Sequence, residues 1–454
     1  MVGWPGDGSG PGPPTRMPLT TSRTHSRRRW RIAWLLGLGV LVNYFDRVNL
    51  SVSQAALARD FAITSVTFGY LSAAYNWTYC LFQLPIGVIL DRFGVRRVGL
   101  VSTFLWSVAS FSAAVAPNVG SLFGARLLLG VGEAPTFPAN AKAVGRWFPE
   151  RERSFSTGIF DGAAKFANAI GVPLLGILLL KMGWRWSFAA TGVISVLYFL
   201  LFKRIYCEPH EDAKLTEAER VLIADGDEAG KLRQEEQAPL SLWTLIQQRK
   251  VLAMVLGFGS YNYVFYLFVT WLPGYLAIQL HMDLLHSFLY TGFPWLVATF
   301  GDVFVGGWLP DRLIQRGWNA NRVRKTILIG GMACGLGILG AAHPHGPVDA
   351  LLWLSLSIGG LSAAAPIGWS IPGLIAPRNS VGTMGGIMNF SNQISGITAP
   401  IVTGYIVQSL NSFQWAFSVA GAYLCVGILA YIFLLGRIEP MFPTSTEYGS
   451  GIRN

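Results

Sequence analysis

The chain has 454 residues, of which 52% are hydrophobic and 13% are charged, and its formal net charge at pH 7 is +11. An ordinary soluble domain has about 25% charged residues, so this composition excludes a soluble fold and predicts a protein that crosses a membrane many times. The basic residues fall in particular segments between apolar runs, which argues against nucleic-acid binding and indicates that they orient the chain in the membrane.

Apolar runs of about 20 residues predict membrane-spanning helices, and the sequence contains twelve of them. The predicted fold class is an all-α membrane protein with an N-terminal six-helix bundle (31–204) and a C-terminal six-helix bundle (251–436). We expect a disordered cytoplasmic tail (1–30), a central cytoplasmic loop (205–250) and a second cytoplasmic tail (437–454). The spans are predicted near 31–53, 66–90, 97–117, 121–145, 153–180, 185–204, 251–279, 287–311, 325–343, 348–376, 380–410 and 413–436.

Lysine and arginine are concentrated in alternate loops between the spans, as is typical of cytoplasmic loops. With the N-terminus inside, the outer loops carry only Arg59, Lys181 and Arg185, whereas the inner loops carry basic clusters. This asymmetry predicts that both termini are cytoplasmic. The bacterial cytoplasmic membrane is the expected location, with the lipid bilayer as surroundings and a monomer as the expected state.

Two adjacent charges, Asp46 and Arg47, lie inside the first predicted span. A charge at membrane depth costs at least about 2.5–3.5 kcal/mol, so its presence is a functional hypothesis. Arginine stays protonated, whereas a carboxyl group can titrate. The pair therefore offers a fixed cation for an anion and a site for a proton. Because neighbouring helical residues point about 100° apart, the two side chains are expected to face different partners.

A short motif recurs after the second and eighth spans. It reads Gly-x-x-x-Asp-Arg, with Gly87, Asp91 and Arg92 in the first half and Asp311 and Arg312 in the second. Repeated halves of this kind are the layout of major facilitator transporters, and the motif strongly resembles that superfamily. In the superfamily these loops act as cytoplasmic gates, so the resemblance implies a gate role for these five residues.

Further charges lie in spans four, five and eight. Arg126 and Glu133 are seven residues apart and share a helix face, which fits either a structural pair or a proton relay. Asp161 and Lys165 are four residues apart, which fits either a mutually neutralising pair or a substrate role for Lys165. We expect Asp302 to be structural or hydrogen-bonded rather than to couple protons.

Neutral polar residues cluster in the second half, among them Trp369, Ser370, Asn389 and Gln393. Asparagine and glutamine in membrane helices more often join helices than bind a ligand. Asn389 and Gln393 are nevertheless four residues apart, so one helix face can present two amides to the hydroxyl groups of a substrate.

Longer motifs in spans one and four resemble one family within the superfamily. Residues 43–49 read Asn-Tyr-Phe-Asp-Arg-Val-Asn, and residues 132–138 read Gly-Glu-Ala-Pro-Thr-Phe-Pro, followed by Arg-Trp-Phe-Pro at 146–149. These segments closely resemble the anion:cation symporter family, which includes bacterial galactonate, glucarate and hexuronate transporters. The resemblance covers the chain from span one to span twelve.

The resemblance implies import of a small organic anion, a hexonate, hexarate or hexuronate, with protons by alternating access. It implies that Arg47 binds the substrate carboxylate, that Asp46 and Glu133 carry protons, and that Arg126 is the partner of Glu133. The pocket implied by the resemblance is lined by Tyr44, Tyr79, Trp369, Ser370, Asn389 and Gln393.

Span five departs from the family pattern. Where galactonate-type carriers have a glutamine, this chain has Ala164, with Lys165 beside it. The expected substrate contact is therefore not transferred to this position. An extra cation at Lys165 would suit a second carboxylate, as in glucarate-like diacids, provided that Asp161 does not neutralise it.

Other functions fit the sequence less well. A proton-driven efflux antiporter of the same superfamily usually has a Gly-x-x-x-Gly-Pro-x-x-Gly-Gly signature in span five, which this chain lacks, and Arg47 disfavours cationic substrates. A transport-inactive substrate sensor would not need the proton-carrying residues and both gate motifs. We find no pattern of an enzyme, and the four cysteines lack metal-site spacing, so we expect no catalytic residue, metal or cofactor.

Overall fold

The computed structural model describes residues 28–216, 219–223, 242–376 and 380–441, and within these ranges the regular structure is helical, without strands. The tail at 1–27, most of the central loop and the segment from 442 onwards lie outside the described residues. The helices of the N-terminal bundle are α1 (Arg28–Val52), α2 (Gln54–Phe61), α3 (Ser65–Ala114), α4 (Val119–Glu133), α5 (Thr136–Trp147), α6 (Glu150–Met182) and α7 (Trp184–Ile205).

The C-terminal bundle follows the central loop. Its helices are α8 (Leu242–Ile246), α9 (Arg249–Ile278), α10 (Leu284–Phe300), a π-helix (Gly301–Trp308), α11 (Leu309–Gln315), α12 (Ala320–Gly335), α13 (Gly337–Ala341), α14 (Pro347–Ile375), α15 (Val381–Leu410) and α16 (Gln414–Phe433).

Seven helical segments of the described chain are long and apolar enough by themselves to cross a membrane. The other five predicted spans correspond to α1, the two parts of α3, the broken pair α4 and α5, and α15. Within α3 the turn between two spans falls at Gly94, whose φ of +77° and ψ of 165° favour glycine. The charged residues of α1 and the amides of α15 lower the mean hydropathy of these two helices. These polar side chains lie in the protein interior.

The two bundles pack closely at the end of the molecule opposite residue 28, which we name the outer end. There Ser51 of α1 donates to the backbone oxygen of Thr270 of α9 at 2.8 Å. A Cβ atom at Gly69 of α3 would lie 2.6 Å from the backbone oxygen of Pro400 of α15, so these helices touch along their backbones. Small residues permit such close approach in membrane helices.

The opposite, inner end is more open between the bundles. Asn389 of α15 donates to Gln83 of α3 at 2.9 Å, and one turn further along α3 a Cβ atom at Gly87 would meet nothing within 4 Å. The side chain of Asp91, another turn on, is 80% exposed. The two bundles are therefore in backbone contact at the outer end, whereas Gly87 and Asp91 at the inner end are exposed.

Ion pairs tie the inner end of the N-terminal bundle to the start of the central loop. Arg28 pairs with Asp212 at 2.6 Å, and Arg146 pairs with Glu208 at 2.9 Å. Burial alone would raise the pKa of Asp212, but the hydrogen bonds that it accepts, above all from Arg28, outweigh burial and lower this pKa. Residues 28–30, which the sequence analysis placed in the tail, are therefore helical, and Arg28 contributes to the contacts of this first described turn of α1.

Candidate functional site

Arg47 is held inside the N-terminal bundle by one carboxylate and three aromatic rings. Its Nε atom donates to Oε2 of Glu133 at 3.1 Å, and the Arg47 side chain is 8% exposed. The guanidinium lies 4.5 Å from the ring centre of Tyr75, 4.6 Å from that of Tyr44 and 5.6 Å from that of Tyr79. Cation–π contacts of this kind stabilise a desolvated cation by about 2 kcal/mol. The sequence analysis named Tyr44 and Tyr79 but missed Tyr75, one helix turn before Tyr79.

Glu133 is fully buried at the break between α4 and α5. Two glycines before it explain its position, because a Cβ atom at Gly130 would lie 2.2 Å from the backbone oxygen of Tyr75, and one at Gly132 would lie 2.8 Å from the backbone nitrogen of Trp106. Helix α4 therefore lies directly against α3. The second oxygen of Glu133, Oε1, has no hydrogen-bond partner among the described residues.

Asp46 faces away from Arg47, into the packing between helices α1, α3 and α7. Its carboxylate accepts hydrogen bonds from Ser110 at 2.7 Å and from Ser195 at 3.2 Å, and the residue is 2% exposed. The two adjacent charges face different partners, as the helix geometry predicts.

Arg126 makes its hydrogen bond to α1 and not to Glu133, although the charge of Glu133 acts on it. Its Nη1 atom donates to the backbone oxygen of Asp46 at 3.2 Å, and its guanidinium lies 5.6 Å from the ring centre of Tyr75. Arg126 and Glu133 are seven residues apart on α4, a rise of about 10.5 Å along the helix axis. Arg47 of α1 reaches Glu133 at 3.1 Å instead. We name Asp46, Arg47, Arg126 and Glu133 the Arg47 cluster; its formal charges cancel when all four groups are ionised.

A second group of charges joins the two bundles. Nζ of Lys165 donates to Asp161 of the same helix at 2.7 Å and lies 3.4 Å from Oδ1 of Asp302, which belongs to the π-helix of the other bundle. The side chains of Lys165 and Asp302 are each 5% exposed. We name these three residues the Lys165 cluster. The contact of Asp302 across the bundles could not be read from the sequence, since the two residues are far apart in the chain.

The polar residues of the second half have different surroundings. Trp369 packs its ring edge against Phe258 and is 41% exposed, and the hydroxyl of Ser370 donates to its own helix, to the backbone oxygen of Ile367, at 2.8 Å. Asn389 joins the bundles through Gln83. Gln393 is 2% exposed, and its Oε1 atom has no hydrogen-bond partner among the described residues. Gln393 therefore keeps an unpartnered acceptor, its Oε1 atom, whereas Asn389 joins α15 to α3.

The predicted gate residues lie at the inner end. Asp91 pairs with Lys142 of α5, whose Nζ atom also donates to the backbone oxygen of Leu90 at 2.9 Å. Arg92 lies over the ring of Phe93 at 5.4 Å. Asp311 and Arg312 are exposed. The sequence analysis did not assign Lys142 to this group.

Comparison with known proteins places these features in a family. A model of the Major Facilitator Superfamily matches residues 36–400. An uncharacterised transporter of Bacillus subtilis (strain 168) is 36% identical, with 90% of this chain and 95% of the relative covered. A D-galactonate transporter of Escherichia coli O6:H1 is 33% identical, over 91% of this chain and 97% of the relative. A protein named probable galactarate/D-glucarate transporter of Bacillus subtilis (strain 168) is 32% identical, over 90% of this chain and 92% of the relative.

A solved structure gives the same result for the fold. A bacterial homologue of the human lysosomal transporter Spinster, in an inward-facing and occupied conformation, superposes with a TM-score of 0.70 at 15% identity. The superposition covers 90% of this chain and 97% of that structure. The fold and the transporter class predicted from the sequence are confirmed.

Proposed function

The chain belongs to the major facilitator superfamily, and on this premise we propose that it imports a sugar acid together with protons by alternating access. It is a multi-pass membrane transporter rather than an enzyme, as its family and relatives indicate. The observation that carries the proposal is Arg47, a buried cation whose one carboxylate partner among the described residues is Glu133 and whose guanidinium lies against the rings of three tyrosines.

The first step of the proposed cycle is an exchange of carboxylates at Arg47. A planar guanidinium binds carboxylates through parallel hydrogen bonds, and the Nη2 atom of Arg47 has no hydrogen-bond partner among the described residues. A substrate carboxylate therefore has a free donor to bind. When it also displaces Glu133, the buried Glu133 carboxylate loses its cation and takes up a proton. Anion binding and proton uptake are coupled in this way.

Asp46 is proposed as the second proton carrier. It lies beside Arg47 in the chain but faces Ser110 and Ser195, which stabilise its ionised form through hydrogen bonds. Arg126 contacts the backbone of Asp46, so a movement of α1 during the cycle changes the charge near both groups. We propose that Arg126 acts through Asp46 as well as Glu133.

The remaining pocket residues are proposed to bind hydroxyl groups of the sugar acid. Tyr44 and Tyr79 surround Arg47, and Gln393 offers an unpartnered oxygen. Trp369 and Ser370 lie on α14 of the opposite bundle, so a substrate between them and Arg47 would contact both halves. Asn389 is proposed to bind substrate only after its hydrogen bond to Gln83 is broken.

The inner end is proposed to be the cytoplasmic gate. Gly87, Asp91, Arg92, Asp311 and Arg312 lie at this end, and the open space beside Gly87 leaves room for the opposite bundle to close. This assignment puts both termini in the cytoplasm of a bacterial cell, with the protein in the cytoplasmic membrane. We propose that a single chain is the transporting unit, since both halves of the pocket belong to one chain.

A thermal-shift screen tests the proposed substrate class. A ligand that binds only the folded protein stabilises it by about 2.7 kcal/mol at one hundred times its Kd. We expect galactonate, galactarate, glucarate or a hexuronate to raise the melting temperature of the purified protein. Galactitol, which has the hydroxyl groups but no carboxylate, is the matched control and should have no effect. Stabilisation by organic cations and by none of the acids would contradict the proposal.

Lys165 is proposed to bind the second carboxylate of a diacid. Replacing it by Gln should weaken galactarate binding relative to galactonate binding by about tenfold or more, because the loss of one buried charge partner costs about 2–5 kcal/mol. Competition of both acids against a labelled substrate measures this ratio. Lys181→Gln, in a predicted outer loop, is the control. The hypothesis is abandoned if Lys165→Gln leaves the ratio unchanged.

A further inference from the structure

We infer that Asp302 is an internal competitor for a dicarboxylate: it holds Lys165 in the empty site, and the distal carboxylate of the substrate displaces it and drives uptake of one further proton. This inference rests on the proposed function. It adds a proton site in the C-terminal bundle and predicts that the number of protons taken up depends on the class of acid.

The contact between Asp302 and Lys165 is the weaker of the two that Lys165 makes. Asp161 accepts a hydrogen bond from Nζ at 2.7 Å, whereas Oδ1 of Asp302 lies 3.4 Å away and accepts no hydrogen bond from a described residue. Asp161 is also on the same helix and one turn away, so it stays with Lys165 when the bundles move. Asp302 is therefore the carboxylate that a substrate carboxylate can replace at Lys165.

The charges of the Lys165 cluster do not balance. Two carboxylates share one ammonium, so the cluster has a formal charge of −1 when all three groups are ionised. A buried ionised carboxylate is stable only with a cation and hydrogen bonds. Asp302 is 5% exposed, its Oδ1 atom has no hydrogen-bond partner among the described residues, and Lys165 is the cation that faces it. Once it loses that pair, protonation is the route that removes the buried charge.

The backbone of Asp302 is fixed, so the exchange involves the side chain. A Cβ atom at Gly301 or at Gly306 would lie 2.5 Å from a backbone oxygen of α14, that of Gly359 or Ala363 respectively. The π-helix is therefore locked against α14 on both sides of Asp302. Single-turn π segments occur frequently at functional sites, and this one places a carboxylate opposite a cation of the other bundle.

The Lys165 cluster is electrostatically connected to the Arg47 cluster. The guanidinium of Arg47 lies 4.6 Å from the ring centre of Tyr44, and the charge of Lys165 also acts on the Tyr44 hydroxyl. Among the described residues, the titratable groups that act on Asp302 are Lys165 and Asp161 from α6 and Tyr261 from α9. In the proposed complex, a molecule with a carboxylate at each end binds Arg47 with one carboxylate and Lys165 with the other.

The balance of charges gives a proton count. Near pH 7 both carboxylates of a hexarate are ionised, since ordinary carboxyl pKa values lie near 3.3–4.3. The distal carboxylate takes the place of the Asp302 carboxylate at Lys165, and Asp302 gains one proton from solvent. Galactonate has no distal carboxylate and leaves Asp302 in place. Galactarate should therefore bind with one more proton than galactonate.

Calorimetric titration of the purified full-length protein in buffers of different ionisation enthalpy measures this difference. For the unmodified protein we expect one additional proton for galactarate, and a galactarate-to-galactonate affinity ratio that falls up to tenfold per unit rise in pH. Asp302→Asn should remove the additional proton and the pH dependence of the ratio, and should tighten galactarate binding at high pH. Asp283→Asn, at the exposed start of α10, is the matched control and should change neither.

The outcomes separate this inference from the proposed function. If neither acid binds, the proposed function fails. If both bind and the unmodified protein takes up equal numbers of protons, the inference is overturned whether or not Asp302→Asn folds. It is also overturned if Asp302→Asn binds galactarate and retains the additional proton.

Discussion

Replacing Arg47 by Gln is expected to lower the affinity for the sugar acid by about 3 kcal/mol or more, which is roughly a hundredfold or greater. The neutral amide cannot form the charge-assisted hydrogen bonds of the guanidinium. Arg47→Lys should be almost as damaging, because an ammonium keeps the charge but loses the planar fork that faces Glu133 and the three tyrosines. Isothermal titration or competition binding on purified protein measures the effect.

A folding defect must be separated from a binding defect in this experiment. Arg47→Gln leaves the Glu133 carboxylate buried without its ion-pair partner, which costs about 3–5 kcal/mol. The double variant Arg47→Gln with Glu133→Gln removes both charges and should recover most of the melting temperature without recovering binding. Retained affinity in either variant would remove Arg47 from the binding site.

Replacing Asp46 by Asn is expected to abolish accumulation driven by a pH gradient while preserving exchange of substrate across the membrane. Asparagine has nearly the same shape and can still accept a hydrogen bond from Ser110 at the position of the carboxylate oxygen. It cannot take up or release a proton. The coupling should therefore be lost without loss of the fold.

Proteoliposomes test this prediction in two assays on the same preparation. One assay measures uptake of labelled substrate under an imposed pH gradient, and the other measures counterflow into vesicles preloaded with unlabelled substrate. Ser110→Ala is a matched variant, because it removes a hydrogen-bond donor from Asp46 but keeps the titratable group, and it should still accumulate substrate. Unchanged gradient-driven accumulation by Asp46→Asn would exclude Asp46 as a proton carrier.

The sequence was most informative where a residue type is costly at membrane depth. Asp46, Arg47 and Glu133 could be selected because charges in apolar helices are rare, and the structure places two of them in direct contact. The structure adds the reason for the glycines before Glu133, since Gly130 and Gly132 permit backbone contacts that a Cβ atom would prevent. Tyr75 was missed because an aromatic residue in a membrane helix gives no such signal.

Partner assignment was less successful. The sequence predicts contacts along one helix well, as for Asp161 and Lys165, because a fixed rise and turn relate residues four apart. The family resemblance implied Arg126 as the partner of Glu133, whereas the structure places Arg47 of α1 in contact with Glu133. The sequence analysis described Asp302 as structural or hydrogen-bonded, because nothing in its own span indicates that Lys165 lies opposite.

The sequence alone therefore determined the membrane class, the twelve spans, the family and the charged residues of α1, α4 and α6, since hydropathy, helix periodicity and short motifs are local properties. The tertiary structure alone decided which carboxylate faces which cation and which helices join the two bundles. Those contacts depend on how helices distant in sequence pack against each other, and packing is set by close approach of many surfaces at once.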